Sequence, residues 1–341
     1  MKDELISRIN ENKRINQFTF PTKMMLELTN TCNHSCLFCS HRKSKRKNQM
    51  MDYDFAIRML DEAYYLGVRE VALFMMGESF LYPRLTEIVT YAKNKGYEYI
   101  YLTTNGAKAE PDILQSVIEA GVDSIKFSIN AIDKESYYLI HGKNDFDKVI
   151  ENLRWLYSYK KDNSLPIHIY ISSIITKYNN DINLISSVLG KYCDELVTYD
   201  VVNQDGMVPE IDTFLKGEID EYMLDLSSTA PCAMVFNRYH ITVEGYLSAC
   251  CQDTNNYLAY ADLHEQSLSE AWNNSIITEF RERHLSGNLR GSICNSCIYG
   301  ENKDLVPLVR KYASLVTQEE IFCDKEIRER IKRHSTINKI E

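Results

Sequence analysis

A chain of 341 residues is long enough for two folded units, or for one large α/β unit with an appendage, at roughly 150 residues per domain. Its 44% hydrophobic content supports a sizeable core, no run approaches the ~20 apolar residues of a membrane span, and a net charge of −9 argues against a general nucleic-acid surface. The chain opens on Met1-Lys2-Asp3-Glu4 rather than on an apolar signal segment, so a cytoplasmic, reducing setting is expected and its ten cysteines are not read as disulfides.

Residues 1–20 read as a charged, helix-like extension. The apolar run Met24-Met25-Leu26-Glu27-Leu28 then reads as a first strand over 23–29. It leads into Cys32-x3-Cys36-x2-Cys39, with aromatic Phe38 just before the third cysteine. Three thiolates in so short a loop suit three irons of a [4Fe–4S] cube and leave the fourth iron open to a small molecule. A zinc knuckle closes its tetrahedron with four ligands, and His34 and His41 lie near, but zinc sites favour two short pairs and here a triplet stands alone. The run His41-Arg42-Lys43-Ser44-Lys45-Arg46-Lys47 follows at once. Such runs are mostly solvated faces; beside the expected rim this one favours an anionic substrate, such as a phosphorylated or nucleotide-linked sugar.

From there to about residue 205, strands at 70–75, 99–104, 124–128, 167–174 and 195–202 alternate with helices at 53–66, 85–95, 112–120, 146–159 and 180–189. Gly67, Gly96 and Gly121 close the first three helices. Six strand-then-helix units imply a parallel sheet with right-handed crossovers, either open or curled into a partial barrel. In such folds the loops after the strand C-termini carry the chemistry. The cysteine triplet follows strand one, Met76-Gly77-Glu78 strand two, and Asn105-Gly106 strand three. Ser128-Ile129-Asn130 closes strand four, and Asp200, Asn203 and Gln204 follow strand six.

Residues 206–230 read as a linker with a helical piece at 210–222, residues 231–300 as a small cysteine-bearing unit, and residues 301–341 as a charged helical tail. In the small unit Gly245 stands between Cys232 and Cys250 in a strand–turn–strand pattern, and Cys294-x2-Cys297 comes later. Four thiolates in two spaced pairs suit a zinc ribbon or a fully ligated [4Fe–4S] cluster equally well. Arg238 and Tyr239, close behind Cys232, are candidates to face a substrate. Cys251 reads first as a buried neighbour or spare ligand, while Cys193 and Cys323 read as small buried hydrophobes.

The triplet with Phe38, followed by Gly77-Glu78 after the second strand, resembles the radical S-adenosylmethionine (SAM) superfamily over roughly residues 21–205. That resemblance implies a partial (β/α)6 TIM-like barrel. It also implies that Cys32, Cys36 and Cys39 ligate the cluster, that SAM chelates the open iron, that Phe38 lies against the adenine, and that Gly77 and Glu78 meet the methionine amino group. Asn105, Ser128 and Asn130 complete the implied cofactor rim, the last two towards the ribose; an Asp is commoner than Asn at that place, and a Ser-x-Asn at a strand end also caps helices. The small unit is similar to the twitch subdomain, a shortened SPASM extension. This implies one auxiliary [4Fe–4S] cluster on Cys232, Cys250, Cys294 and Cys297, and an α/β chain with a small C-terminal α+β iron–sulfur domain.

The resemblance further implies cleavage of SAM to a 5′-deoxyadenosyl radical and hydrogen abstraction from a small hydroxylated, sugar- or cyclitol-like substrate. Oxidation would proceed through the auxiliary cluster, with a flavodoxin- or ferredoxin-type electron donor and no membrane or nucleic-acid partner. One alternative is a radical SAM epimerase, with Cys251 returning hydrogen from the other face. Another is a peptide-modifying (RiPP) enzyme, although the first 20 residues are too few for a winged-helix peptide-recognition domain. The non-catalytic alternative is an iron–sulfur or zinc binding protein.

Overall fold

The computed structural model describes residues 18–201, 207–208, 231–299, 304–317, 320 and 325–337. Residues 1–17 of the expected N-terminal extension, Asn203, Gln204, Cys323 and the helical piece at 210–222 lie outside the described residues. In chain order the first unit runs β1 (Lys23–Leu26), α1 (Tyr53–Tyr65), β2 (Glu70–Ala72), α2 (Leu85–Lys95), β3 (Tyr99–Thr104), α3 (Pro111–Glu119), β4 (Ser124–Ser128), α4 (Lys134–His141), α5 (Phe146–Asp162), β5 (His168–Ile175), α6 (Ile182–Leu189) and β6 (Glu195–Asp200). All six strands pair in parallel in sequence order.

Helix α4 has no counterpart among the expected elements. It is eight residues long and mostly polar or aromatic. Its ends are fixed locally, by the Asp133 carboxylate accepting from Ser136 N at 2.8 Å and by Gly142 in the left-handed region at φ 73°.

Side chains alternate across each strand, so every second residue shares a face. Met24, Leu26, Val71, Ile100, Ile125, Phe127 and Ile169 form the outer face and are fully buried beneath the helices. On the other face lie Tyr101, Lys126, Tyr170 and their neighbours. This face is concave: the Lys126 ammonium from β4 reaches both the Phe74 ring beyond β2 and the Tyr199 ring of β6, which are never adjacent to β4 in the sheet. The parallel sheet therefore curls into a partial barrel with a lumen.

The C-terminal unit contributes α7 (Met234–Asn237), β7 (Tyr239–Ile241), β8 (Tyr246–Ser248), β9 (Ala259–Asp262), α8 (Leu268–Trp272), α9 (Ser275–Ser286) and α10 (Ile293–Tyr299). Strand β7 pairs in parallel with β1, and β8 and β9 follow antiparallel, so one nine-stranded sheet joins barrel and hairpin in the order β6-β5-β4-β3-β2-β1-β7-β8-β9. The β7–β8 turn requires Gly245, which sits at φ 83° where a Cβ would stand 2.3 Å from the His264 ring.

The helical tail expected over 301–341 is helical at Lys325–Ile337. Residues 304–317 are irregular and lie across the hairpin region, with Leu308 N donating to Tyr257 O at 2.8 Å and Ser314 N to Asn255 O at 2.9 Å. Helix α11 (Lys325–Ile337) packs on the cysteine loop through Arg330, whose guanidinium donates to Ser35 O at 2.6 Å. No described helix is long and apolar enough to cross a membrane.

Candidate active site

The cysteine triplet lies at the C-terminal mouth of the barrel. Asn30 holds the loop closed, donating from Nδ2 to Lys47 O at 2.9 Å and accepting at Oδ1 from Gln49 N at 2.8 Å. A tight turn brings Cys39 N to Cys36 O at 3.1 Å. The three sulfurs converge closely enough to act on one another. Burial pushes the Cys32 thiol up to about 12, with Cys39 adding to the rise, and Cys36 goes well above the usual range through burial and the charges of Cys39 and Cys32. Sulfurs arranged this way resist ionisation alone and favour a cation that replaces their protons, which is the fit an iron–sulfur cluster demands.

Around them the shell is specific. Asn130 N, an obligatory donor, points at His141 Nε2 at 3.2 Å, so that nitrogen is the acceptor and the proton resides on Nδ1. Nδ1 lies 3.5 Å from Cys36 Sγ, giving an N–H···S contact. The ligand atoms of His34, Cys36 and His141 lie within 4.8 Å of one another. Since both His141 nitrogens are engaged, this trio is the surround of the triplet rather than a second metal site.

The Gly77-Glu78 segment docks directly on the start of the cysteine loop. Glu78 N donates to Thr31 O at 2.9 Å, and a Cβ on Gly77 would lie 2.2 Å from Thr29 O, so only glycine permits the approach. Gly77→Ala is expected to force the two backbones apart, lowering stability by roughly 1–3 kcal/mol and weakening SAM binding; an unchanged melting temperature and unchanged SAM affinity by calorimetry would show that the contact is dispensable. The buried Glu78 carboxylate accepts from Thr104 Oγ1 at 2.8 Å, Asn105 N at 2.7 Å and Phe80 N at 3.1 Å. About one of its four lone-pair directions remains for a ligand ammonium.

Phe38 is buried beside the loop, and Asn105 reaches from β3 to 3.9 Å from Cys32 Sγ. Ser128 Oγ faces Ser172 Oγ at 3.4 Å. The Asn130 amide is already committed: Oδ1 accepts from Ile174 N at 2.7 Å and Nδ2 lies 3.3 Å from His141 Nε2. The structure thus brings Asn130 to the rim with its side chain engaged by the chain itself.

The other four cysteines meet at the opposite end of the barrel. Because β7 runs parallel to β1, Cys232 before α7 lies at the end remote from the triplet, and Cys250, following the antiparallel β8, returns there. Cys294 and Cys297 sit on one face of α10. Together with Met234, Val235, Leu258, Ile293 and Ile298, the four line a cavity of about 50 Å³. A single water needs roughly 10–15 Å³, so the space suits several atoms, and a polynuclear cluster fits it better than one zinc ion. Gln252 N also points at Cys250 Sγ at 3.4 Å.

Between the two ends lies the lumen. Cys251 lies between the cavity and the lumen: its side chain hydrogen-bonds to that of Cys250 and acts on Cys232, the His240 imidazole and the charge of Arg238 act on it from the other side, and it is felt by Tyr101 and Lys126. Tyr239 is not brought there: its ring packs on Trp272 at 4.9 Å on the outer face, one residue out of phase with His240. Asp200 ends β6 on the exposed rim.

The basic run is also placed differently from the expectation of a phosphate site. Arg46 is buried between Glu27 and Glu244, Lys45 pairs with Glu320 at 2.5 Å, and Arg42 donates to Leu37 O at 3.1 Å. His141, Lys126 and Arg330 were missed in the sequence reading. Only Lys126 left a signal, as a charge between two core residues of a strand.

A partial parallel barrel with three convergent thiols at one mouth and a four-thiol cavity at the other defines a barrel iron–sulfur enzyme. The radical SAM superfamily model matches residues 26–181, and SPASM, an iron–sulfur cluster-binding domain, matches residues 232–298. The chain carries a radical SAM domain followed by a SPASM-type iron–sulfur domain, and these two domains bring SAM and two [4Fe–4S] clusters as its cofactors.

Among curated proteins it is 31% identical over 141 residues to the probable GTP 3′,8-cyclase of Saccharolobus solfataricus, covering 41% of this chain and 45% of that protein. It is 28% identical over 129 residues to GTP 3′,8-cyclase of Chlorobaculum tepidum, covering 38% of each. The chain thus spans less than half the length of these relatives. The fold is shared with BtrN in complex with AdoMet and 2-DOIA (TM-score 0.55, 18% identity, 83% of this chain and 93% of that one). It is shared equally with Streptococcus suis SuiB bound to S-adenosylmethionine (0.60, 16%, 85% and 74%).

Proposed function

We propose that this radical SAM enzyme dehydrogenates a small hydroxylated substrate held in the barrel lumen, with the C-terminal cluster as electron acceptor. The observation that carries the reading is the placement of the two cysteine sets at opposite ends of one lumen. Bound SAM supplies, on one-electron reduction, a carbon radical able to take hydrogen from an unactivated C–H.

The residues of the chain do the rest. Cys32, Cys36 and Cys39 would hold the SAM-binding cluster at the mouth, with Phe38, Gly77, Glu78, Asn105 and Ser128 around the cofactor. Cys232, Cys250, Cys294 and Cys297 would hold the acceptor at the far end, and the lumen wall would orient the substrate and exclude water. The balance is that of a two-electron oxidation: the substrate loses one hydrogen atom to the radical, one proton to water, and one electron to the auxiliary cluster. A secondary alcohol thereby becomes a ketone.

The test uses the reconstituted enzyme with a panel of deuterated polyols and their phosphates, read by mass spectrometry. Deuterium is expected in 5′-deoxyadenosine together with a product two hydrogens lighter. The Cys294→Ala/Cys297→Ala variant should still cleave SAM while losing that product. Cleavage accompanied only by peptide modification, or by a product of unchanged mass, would sink the dehydrogenase reading.

The electrostatic reach of the Cys251 thiol to the lumen residues Tyr101 and Lys126 favours a second reading, epimerisation, in which this thiol returns a hydrogen atom to the substrate radical. Cys251→Ser separates the two, since it spares ketone formation in a dehydrogenase and removes the isomerised product in an epimerase.

A further inference from the structure

We propose that the middle of the lumen is an anion subsite, in which Lys126 and Arg238 hold a phosphate or carboxylate carried by the substrate. The inference rests on the lumen being the substrate chamber and adds the charge of what enters it.

Lys126 lies on the concave face of β4, half-buried, in register with Thr103 on β3 and Tyr170 on β5. Among the described residues no carboxylate pairs with its ammonium. Its near neighbours are the ring faces of Phe74 at 5.8 Å and Tyr199 at 5.9 Å, and the Cys251 thiol acts on it. Those ring distances stand at the ~6 Å limit of a cation–π contact, so the rings replace little of the hydration the ammonium has lost. Arg238 enters from the base of β7. Its Nε is buried with no hydrogen-bond partner among the described residues, and its charge acts on both Tyr101 and Cys251.

The acids that might neutralise these two cations are committed elsewhere. Glu70 pairs with Lys23 at 2.8 Å, Glu27 with Arg46, and Glu195 lies 3.7 Å from His168. Among the described residues, a chain of net charge −9 thus leaves Lys126 and Arg238 without a paired carboxylate. Retaining a desolvated charge is unfavourable unless a ligand brings the opposite one. Arginine and lysine on an oxyanion then supply charge-assisted hydrogen bonds, which are among the strong ones. Burial also pulls the Lys126 pKa down, in the sense expected for an ammonium lacking its counter-ion.

The test needs no turnover. The holoenzyme with SAM is titrated at constant ionic strength with methyl phosphate in one arm and acetate in the other, followed by thermal unfolding, in wild type, Lys126→Met and Lys126→Arg. A saturable rise in melting temperature is expected in wild type. The apparent Kd should weaken about tenfold or more in Lys126→Met and largely recover in Lys126→Arg. Response to methyl phosphate alone assigns a phosphate, and response to acetate a carboxylate. With no anion present, Lys126→Met should unfold no lower than wild type, because it removes an unpaired buried charge; if that variant does not accumulate, Lys126→Gln takes its place. A shift that does not saturate, or that is equal in wild type and Lys126→Met, overturns the subsite. Because binding alone is read, that outcome leaves the dehydrogenase reading standing, and failure of the turnover test leaves this one standing.

Discussion

Replacing Cys32, Cys36 and Cys39 together by alanine is expected to lower the iron of anaerobically reconstituted protein from about eight to about four per chain and to abolish SAM cleavage. The basis is geometric: the two sets of sulfurs are separated by the barrel, so neither can substitute for the other. The bonds that hold the loop without the sulfurs, between Asn30 and both Lys47 and Gln49 and from Glu78 N to Thr31 O, stay in place in the variant, which should fold with its far-end cluster intact. Iron and sulfide analysis with an assay of 5′-deoxyadenosine under strong reductant checks both halves. A fall from four irons to none, with zinc in the remaining site, would leave the enzyme without an electron acceptor and favour a redox-neutral reaction.

Arg46→Met is expected to lower stability by roughly 3–5 kcal/mol, the usual cost of stranding a buried charge, although the residue touches neither cluster site. The Arg46 guanidinium donates to both carboxylates of its pair, including Nε to Glu244 Oε1 at 2.8 Å, and Glu27 is wholly buried. Glu27 also accepts from Val243 N at 2.9 Å and Met76 N at 3.3 Å, so the network ties the cysteine loop, β1, the loop after β2 and the hairpin to one point. Burial would raise the Glu244 pKa, but the hydrogen bonds and charge of Arg46 hold it below the usual range. Chemical denaturation of the reconstituted protein measures the effect, and Glu27→Gln in the same chain should recover part of the loss. A shift under about 1 kcal/mol, the worth of a surface pair, would mean that water reaches the network.

Much of this was legible beforehand because the signals were local. Metal chemistry fixes cysteine spacing, and the βα alternation with its glycine stops placed most of the barrel elements within a few residues. What escaped depended on pairing at long range. The partnership of β7 with β1, 215 positions away at Met24 and Tyr239 by register, leaves no mark in a three-residue strand. The one-residue phase between Tyr239 and His240 decides which side chain sees the lumen, and composition cannot supply a phase. The basic run misled for a related reason, since Arg46 finds its acids in segments far along the chain. Lys126 was readable in principle, as the one charge between Ile125 and Phe127.

The continuity of the nine-stranded sheet has a kinetic consequence. Two redox centres hung on separate domains could change their spacing whenever the linker flexed, and the rate of electron tunnelling would change with it. Here the far-end cavity is anchored on strands hydrogen-bonded to β1, so the gap between the centres is set by about one strand length, roughly 13 Å for four residues at ~3.3 Å each, plus the loops. The backbone ladder serves as a ruler, and under the dehydrogenase reading proposed above the acceptor's distance would not vary from one turnover to the next.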